Sequence, residues 1–192
     1  MSKRTEILKT AKAIFNKYGF KRVSIEEICT QAGVSRMTFY RAFSNKTALV
    51  IAVITEMFET EMAETNALIA GSQSLADQLH IIFERKVSFS ESLSEDFTRD
   101  VLLPANTEIE AHLAQLIRRK TEWMMALIRA GQSRGEIDPH LNLDLVPTLF
   151  DSYMDTAHKI KASGDRVSEQ INALAGFFIR SLGIQEPIRP SV

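Results

Sequence analysis

The chain has 192 residues, of which 45% are apolar, a single cysteine and a net charge of −1 at pH 7. This length and apolar fraction allow one or two globular domains with a buried core, and one cysteine excludes a disulfide framework. The apolar runs are far shorter than the roughly 20 residues of a membrane-spanning helix, and the N-terminus lacks an apolar signal core. We therefore expect a cytoplasmic protein with no membrane partner.

The charge is unevenly divided along the chain. Residues 1–50 carry ten Lys and Arg against three Glu, whereas the remainder carries 13 basic and 21 acidic residues. A basic head on an acidic body is typical of a protein whose head binds a polyanion such as nucleic acid.

A first helix is predicted from residue 2 to about residue 18, where Gly19 ends it. The stretch from Ser24 to Lys46 follows. Ser24 and Glu27, three residues apart, predict a capping box at the start of a short second helix. Cys29 lies on the apolar stripe of this helix and is predicted to be a core residue rather than a redox sensor.

A tight turn and a third helix follow. Gly33 can take up the left-handed backbone that the turn requires, and Ser35 can cap a helix that runs from Arg36 through Arg41. Together these segments predict a helix-turn-helix over about residues 24–43, with the last helix free to enter the DNA major groove.

The rest of the chain has helical periodicity throughout and shows no strand pattern or internal repeat. Six further helices are predicted, which makes about nine in total for an all-α protein. They span about residues 45–70, 74–93, 95–103, 106–134, 144–162 and 167–182.

The segment GVSRMTFYRAFSNKTALV resembles the recognition-helix segment of the TetR/AcrR family of bacterial transcriptional regulators. The upstream segment AKAIFNKYGFKRVSIEEI is similar to the first helix of the same family, and the likeness covers about residues 5–50. Met37 stands where the family often has Gly or Pro, and Ala42 where His or an aromatic residue is commoner, so the operator sequence is not implied.

The resemblance implies a three-helix DNA-binding head over residues 1–46 and a helical-bundle body over residues 47–192 for ligand binding and dimerisation. It also implies a homodimer on a palindromic double-stranded DNA operator, usually as a repressor that an unknown small-molecule effector releases. The main alternative is a DNA-binding protein of the same fold that answers to a protein partner and has no small ligand. A second alternative is a helical enzyme or carrier with an incidental helix-turn-helix.

The motif suggests which side chains meet DNA. Four residues of the third helix would face bases or the groove floor, and Ser24, Tyr40 and Lys46 would hold phosphates. Arg36 and Lys46 each occupy the first turn of a helix, where the dipole disfavours a cation and a phosphate would relieve the conflict; the alternative is a solvated surface charge. The predicted DNA-binding residues are Ser24, Ser35, Arg36, Met37, Thr38, Tyr40, Arg41 and Lys46.

The last two predicted helices are apolar over wide faces, more than one body needs to cover. Two copies would bury these faces as a four-helix interface around a two-fold axis. The predicted interface residues are Leu149, Tyr153, Ile171, Leu174 and Phe178, and substitution of Leu174 or Phe178 by Glu is expected to give monomers.

The effector is expected to be largely apolar, because the body offers mostly Phe, Met, Leu and Ile. Residues of this kind at helical spacing are more often core than pocket, so both interpretations stay open for each of them. The candidate ligand-binding residues are Phe58, Met62, Phe83, Trp123, Met124, Leu127 and Phe150, with Trp123 in or next to the pocket.

Signals for enzyme chemistry are weak. Residues 131–135 match G-x-S-x-G, but a nucleophile elbow needs a strand before the serine, whereas a helix is predicted there. Two His–Glu pairs, His80 with Glu84 and His112 with Glu108, have a spacing that could hold a metal, yet a bundle site needs several such pairs. We therefore expect no catalytic residues, no metal and no cofactor.

Overall fold

The computed structural model describes residues 2–72, 74–103, 106–163 and 167–184. Within these ranges the chain forms nine α-helices and one short 3₁₀ helix without a strand, which confirms the predicted all-α class. In chain order the α-helices are α1 Lys3–Tyr18, α2 Ile25–Ala32, α3 Arg36–Ala42, α4 Lys46–Ile69, α5 Leu75–Glu91, α6 Glu95–Leu102, α7 Thr107–Ser133, α8 Val146–Ser163 and α9 Val167–Ser181.

Local sequence signals set many of the helix ends. The hydroxyl oxygens of Ser24, Ser35 and Ser94 each accept the backbone N–H three residues later, as an N-cap does. The 3₁₀ helix Leu143–Leu145 leads directly into α8. Because α8 begins at Val146, Pro147 lies in its first turn, where the missing N–H costs no helical hydrogen bond.

The described residues form two compact units, of which the first draws on residues 1–61 and 91–117. Its core is built on α1, α2 and α3, with Phe15, Ile28, Phe39 and Leu49 fully buried. Helix α6 packs against α1 in the same unit. The unit therefore holds more of the chain than residues 1–46, although the assignment of DNA binding to residues 1–46 and of ligand binding and dimerisation to residues 47–192 stays a prediction.

The second unit draws on residues 62–90 and 118–192. At its centre the rings of Phe83, Phe150 and Phe178 contact one another, with centroids 5.3–5.5 Å apart in tilted or T-shaped geometry. The ring of Tyr153 packs against Phe178 at 5.4 Å. These rings belong to α5, α8 and α9, so aromatic packing joins the three helices.

The structure corrects two of the predicted interface residues. Phe178 has no exposed surface, and Ile171 is also buried, because both side chains face the core of their own unit. Neither can cover a second chain without leaving that core. Among the side chains of these two helices that the structure describes, the large apolar ones that are exposed are Leu149 of α8 and Phe177 of α9. Of the three predicted interface residues of α9, Leu174 alone keeps part of its surface exposed, and its place in an interface stays a prediction.

Candidate nucleic-acid interface

The turn between α2 and α3 has the predicted geometry. Gly33 takes up the left-handed conformation, with φ 61° and ψ 38°, and its N–H donates to the carbonyl of Thr30 at 3.3 Å. At the start of α2 the Ser24 N–H donates to the Glu27 carboxylate at 2.7 Å, which completes the capping box. The backbone and side-chain hydrogen bonds from Ser24 lower the pKa of Glu27. The local sequence thus fixes both helices of the motif.

Helix α3 is anchored by one ring. Phe39 is fully buried, and its ring lies 6.1 Å from that of Phe43. Residues three or four positions apart share a face of an α-helix. Away from Phe39, α3 exposes Arg36, Met37 (66% exposed), Tyr40 (47% exposed) and Arg41.

The cations of this surface already have partners within the chain. The Arg36 guanidinium contacts the Glu26 carboxylate at 2.7 Å, and hydrogen bonding to Tyr40, followed by the Glu26 charge, raises the pKa of Arg36. Arg41 Nη2 lies 3.7 Å from the sulfur of Met37, a weak contact that leaves its other donors available. Sequence reasoning missed Glu26, since its contact with Arg36 spans the turn.

Lys46 is held at the start of α4. Its ammonium donates to the backbone carbonyl of Lys21 at 3.2 Å. Burial lowers the pKa of Lys46, while the carboxylates of Asp100 and Glu27 act in the opposite direction. An ammonium group has three donors, so the contact with Lys21 leaves two for a phosphate. The hydrogen bond to the Lys21 carbonyl therefore offsets part of the unfavourable interaction between the Lys46 charge and the positive end of the α4 dipole.

Ser35 and Thr38, two of the predicted DNA-contact residues, also stabilise the start of α3. The Ser35 hydroxyl accepts the Thr38 N–H at 3.1 Å, and the two hydroxyl groups lie 3.0 Å apart. Their placement at the helix N-terminus stays compatible with a predicted DNA contact. A further cation that sequence reasoning missed is Arg4, whose guanidinium lies 4.7 Å from the centre of the Phe43 ring, because only the fold brings α1 beside the end of α3.

The candidate ligand-binding residues are divided between the two units. Phe58 belongs to the first unit, and the other six belong to the second. Within the second unit Phe83, Met124 and Phe150 are part of the core, with Trp123 and Leu127 packed against it. The six residues of the second unit are Met62, Phe83, Trp123, Met124, Leu127 and Phe150. Their role in ligand binding stays a prediction.

Other candidate sites have ordinary structural surroundings. Gly131 and Ser133 lie at the end of α7, so a helix and not a strand precedes the serine of the G-x-S-x-G match, as predicted. His112 Nε2 lies 2.8 Å from the hydroxyl of Thr55. Among the described residues no group of three or more His, Cys, Asp or Glu side chains is arranged to hold a metal ion. In the same ranges no helix is long and apolar enough to cross a membrane.

A short capped helix, a left-handed glycine turn and a second helix with an exposed cationic face define a helix-turn-helix DNA-binding protein. Residues 7–53 match the family model described as bacterial regulatory proteins, tetR family. The HTH-type transcriptional regulator UidR of Escherichia coli (strain K12) is 28% identical over 154 residues, which cover 77% of this chain and 75% of UidR. These matches confirm the predicted resemblance to the TetR/AcrR family of bacterial transcriptional regulators.

Solved structures share the fold over nearly the whole chain. The transcriptional regulator FadR from Bacillus subtilis, in complex with stearoyl-CoA, superposes with a TM-score of 0.74 at 18% identity and covers 94% of this chain and 99% of its own. A regulator from Saccharomonospora viridis in complex with choline has a TM-score of 0.75 at 19% identity, with 96% of this chain and 98% of its own covered. At these identities the likeness concerns the fold.

Proposed function

We propose that this chain is a repressor that binds a palindromic operator as a homodimer and is released by a small, largely apolar effector. The observation that carries the proposal is the exposed face of α3. Phe39 fixes the helix from beneath, and Arg36, Met37, Tyr40 and Arg41 project from it. A helix presented in this way fits the major groove, where side chains read base edges.

The contacts within the free protein separate the roles of the two arginines. Arg36 is engaged with a carboxylate at 2.7 Å, so it must share or give up this ion pair to reach a base. Arg41 has only a weak contact with the Met37 sulfur and can pair with a guanine without a comparable loss. We therefore assign the stronger base contact to Arg41, at about 1–3 kcal/mol if it is bidentate.

Phosphate contacts are assigned to Ser24, Tyr40 and Lys46. Lys46 retains two donors beside its bond to the Lys21 carbonyl, and its burial lowers its pKa. A phosphate next to this ammonium would stabilise its charged form, because an opposite charge favours ionisation. Lys46 should thus contribute to the affinity for any duplex, whatever its sequence.

The test begins with selection of bound duplexes from a random DNA pool, followed by titration of the selected duplex at several salt concentrations. Lys46→Ala should lower the slope of log affinity against log salt by about 1 and weaken all duplexes about equally. Arg41→Ala should also reduce the preference for the selected duplex over an unrelated one. Arg134→Ala removes an exposed arginine of the second unit as the matched control and should change neither quantity.

Two outcomes would contradict the assignment. Selection that yields no enriched duplex, at low salt as well, would remove sequence-specific DNA binding from the proposal. Enrichment together with wild-type behaviour of Lys46→Ala and Arg41→Ala would keep DNA binding but assign it to other residues.

The homodimer is supported by the apolar side chains that α8 and α9 expose. Phe177 and Leu149 are exposed, and large apolar side chains on neighbouring helices are typical of an association surface. Phe177→Glu should shift the protein to monomers in sedimentation experiments and weaken operator binding, because two heads must bind two half-sites. Ile117→Glu changes an exposed apolar residue of the first unit and is the control. An unchanged dimer for Phe177→Glu would rule out this face.

The effector is supported by the apolar core of the second unit and by the two ligand-bound structures of the same fold. Phe83 has no exposed surface, so a ligand that reaches it must displace neighbouring side chains. Trp123 packs against this core and donates from Nε1 to Asn66 at 2.9 Å. Its fluorescence should therefore change when an effector enters, and stearoyl-CoA and choline are the first two probes.

Linkage supplies a second criterion. A true effector must weaken operator binding by the same factor by which the operator weakens effector binding. A compound that changes the Trp123 fluorescence without altering operator affinity is a bystander ligand.

Control by a protein partner remains the second candidate. The closely packed rings of Phe83, Phe150 and Phe178, the first and last without exposed surface, favour it because they leave a small molecule no ready entrance among them. If a protein partner controls this chain, neither stearoyl-CoA nor choline should change Trp123 fluorescence or operator affinity, whereas the partner protein should change them. An effector that satisfies the linkage criterion would exclude it.

A further inference from the structure

Helix α6 carries a buried carboxylate. Asp100 is only 5% exposed, although charged side chains are seldom fully buried without partners. Its Oδ2 accepts the backbone N–H of Lys21 at 2.8 Å, and its Oδ1 lies 3.8 Å from the Lys21 ammonium. Lys21 lies in the connector between α1 and α2. The carboxylate of α6 therefore holds the connector that leads into the helix-turn-helix.

The connector approaches α6 more closely than a side chain would allow. Gly19 has φ 73° and ψ 154°, a conformation that is accessible mainly to glycine. A Cβ atom at this position would lie 2.6 Å from Asp100 Oδ2 and 3.2 Å from the carbonyl oxygen of Asp96. The glycine thus provides both the backbone turn and the space that Asp100 needs to reach the Lys21 N–H.

Other contacts fix α6 at the same place. The side-chain amide of Asn16 donates to the carbonyl of Ser92 at 2.8 Å, and its oxygen accepts the Ser94 N–H at 3.0 Å. The rings of Phe20 and Phe97 pack edge to face at 6.1 Å. The beginning of α6 is consequently held on the end of α1 by polar and aromatic contacts together.

The connector in turn holds the predicted phosphate contact. The carbonyl of Lys21 accepts a hydrogen bond from the Lys46 ammonium at 3.2 Å, and the ammonium of Lys21 donates to the carbonyl of Leu103 at 2.5 Å. The backbone N–H of Lys21 therefore donates to Asp100, and the backbone carbonyl of Lys21 accepts from Lys46. A displacement of this residue would move the acceptor that orients Lys46.

We propose that Asp100 is a positioning residue for DNA binding, which fixes Lys21 and through it the direction of the Lys46 ammonium. This inference rests on the proposed function, because it takes Lys46 to contact phosphate. A buried carboxylate cannot itself contact a phosphate. By charge alone its removal would strengthen DNA binding, whereas loss of its positioning role weakens it. The sign of the effect therefore separates the two mechanisms.

The test compares the salt slope of binding to the selected duplex for wild type, Asp100→Ala, Lys46→Ala and the double variant. Asp100→Ala removes the acceptor of the Lys21 N–H, so it should lower affinity and reduce the slope by about 1, as Lys46→Ala does, and the double variant should match Lys46→Ala. Asp96→Ala is the matched control, since it removes the same charge from the same helix at a residue that is partly exposed and pairs with Arg22. It should leave the slope unchanged.

Gly19→Ala provides a variant that keeps every charge. It should displace Asp100 from Lys21 and lower the slope in the same way. Tighter binding by Asp100→Ala with a wild-type slope, or slope losses that add in the double variant, would overturn the proposal. Wild-type behaviour of Lys46→Ala would instead point to a failure of the phosphate assignment.

A measurement on the wild-type protein covers the case in which the variants do not fold. If the phosphate contact of Lys46 stabilises the position of Lys21, binding of the selected duplex should slow hydrogen exchange of the Lys21 amide, whose N–H donates to Asp100. The Thr38 amide, bonded to Ser35 within α3, serves as the internal reference for DNA binding. Protection at Thr38 with unchanged exchange at Lys21 would refute the positioning role.

Discussion

Phe177 and Phe178 are neighbours on α9 with opposite surroundings, and their truncation should have very different costs. Phe178 has no exposed surface and contacts the rings of Phe83, Phe150 and Tyr153. A buried Phe→Ala substitution costs about 3–5 kcal/mol, and loss of three ring contacts places Phe178→Ala near the upper end. With a typical domain stability of about 5–15 kcal/mol, this change removes a third or more of the total.

Phe177 is 59% exposed, and its main specific contact is the guanidinium of Arg180, 5.0 Å from the ring centre. An exposed cation–π contact contributes about 0.5–1 kcal/mol. We therefore expect Phe177→Ala to cost about 1 kcal/mol or less, so the two variants should differ by at least about 2 kcal/mol in the free energy of unfolding.

Urea unfolding followed by Trp123 fluorescence measures this difference. Trp123 is the single tryptophan of the chain and packs against the same core as Phe178, so it reports on the second unit. The variants are compared at a concentration at which sedimentation shows monomers, because Phe177 lies on the proposed dimer face and self-association would add to the apparent stability. Equal costs for the two variants, within about 1 kcal/mol, would refute the assignment of Phe178 to the core and Phe177 to the surface.

Three further substitutions or measurements address single contacts. Glu26→Gln should strengthen binding to an unrelated duplex, because it frees Arg36 and removes a charge that repels phosphate; weaker binding in the same titration would contradict this. Gly131→Ala should lower the melting temperature despite the better helix propensity of alanine, since the new methyl would lie 3.2–3.3 Å from Cγ and Cβ of buried Leu75 and cost about 1–3 kcal/mol; a higher melting temperature would argue against close packing there. Burial, followed by the Glu26 charge, raises the pKa of Cys29, so the native thiol should react slowly with a disulfide reagent near neutral pH. Because the pKa of Cys29 is higher in the folded protein than in the unfolded chain, the contribution of this thiol to stability is present below the unfolded pKa of about 8.5 and is lost as pH rises through the folded pKa. A fast reaction of the native thiol at neutral pH would contradict the burial of Cys29.

Features that depend on residues a few positions apart could be read from the sequence. The capping box of Ser24 and Glu27, the left-handed Gly33 and the Ser35 cap all occur as predicted. Each involves backbone groups within four residues, so the chain determines it locally. The helical class, the bounds of most helices and the helix-turn-helix follow from such signals together with apolar periodicity.

Contacts between distant residues could not be read in this way. Asp100 and Lys21 are separated by 79 positions, and nothing local to either one indicates the other. Likewise Glu26 reaches Arg36 only because the glycine turn folds α3 back toward α2. Candidate contact residues were predicted by type and spacing, whereas the partners that orient them depend on how the helices pack.

Helix α9 shows which structural feature apolar periodicity cannot predict. Apolar residues cover so much of α9 that periodicity cannot distinguish the face that fills its own core from the face left exposed, so the burial of Phe178 in that core does not follow from the sequence. By itself the sequence determined that this chain is helical, where its helices begin and which segment forms the DNA-binding motif, because these features depend on short-range hydrogen bonds and periodicity. Only the tertiary structure decided which apolar face is buried and which carboxylates hold Arg36 and the connector at Lys21, because burial and ion pairing depend on the packing of helices that are distant in the chain.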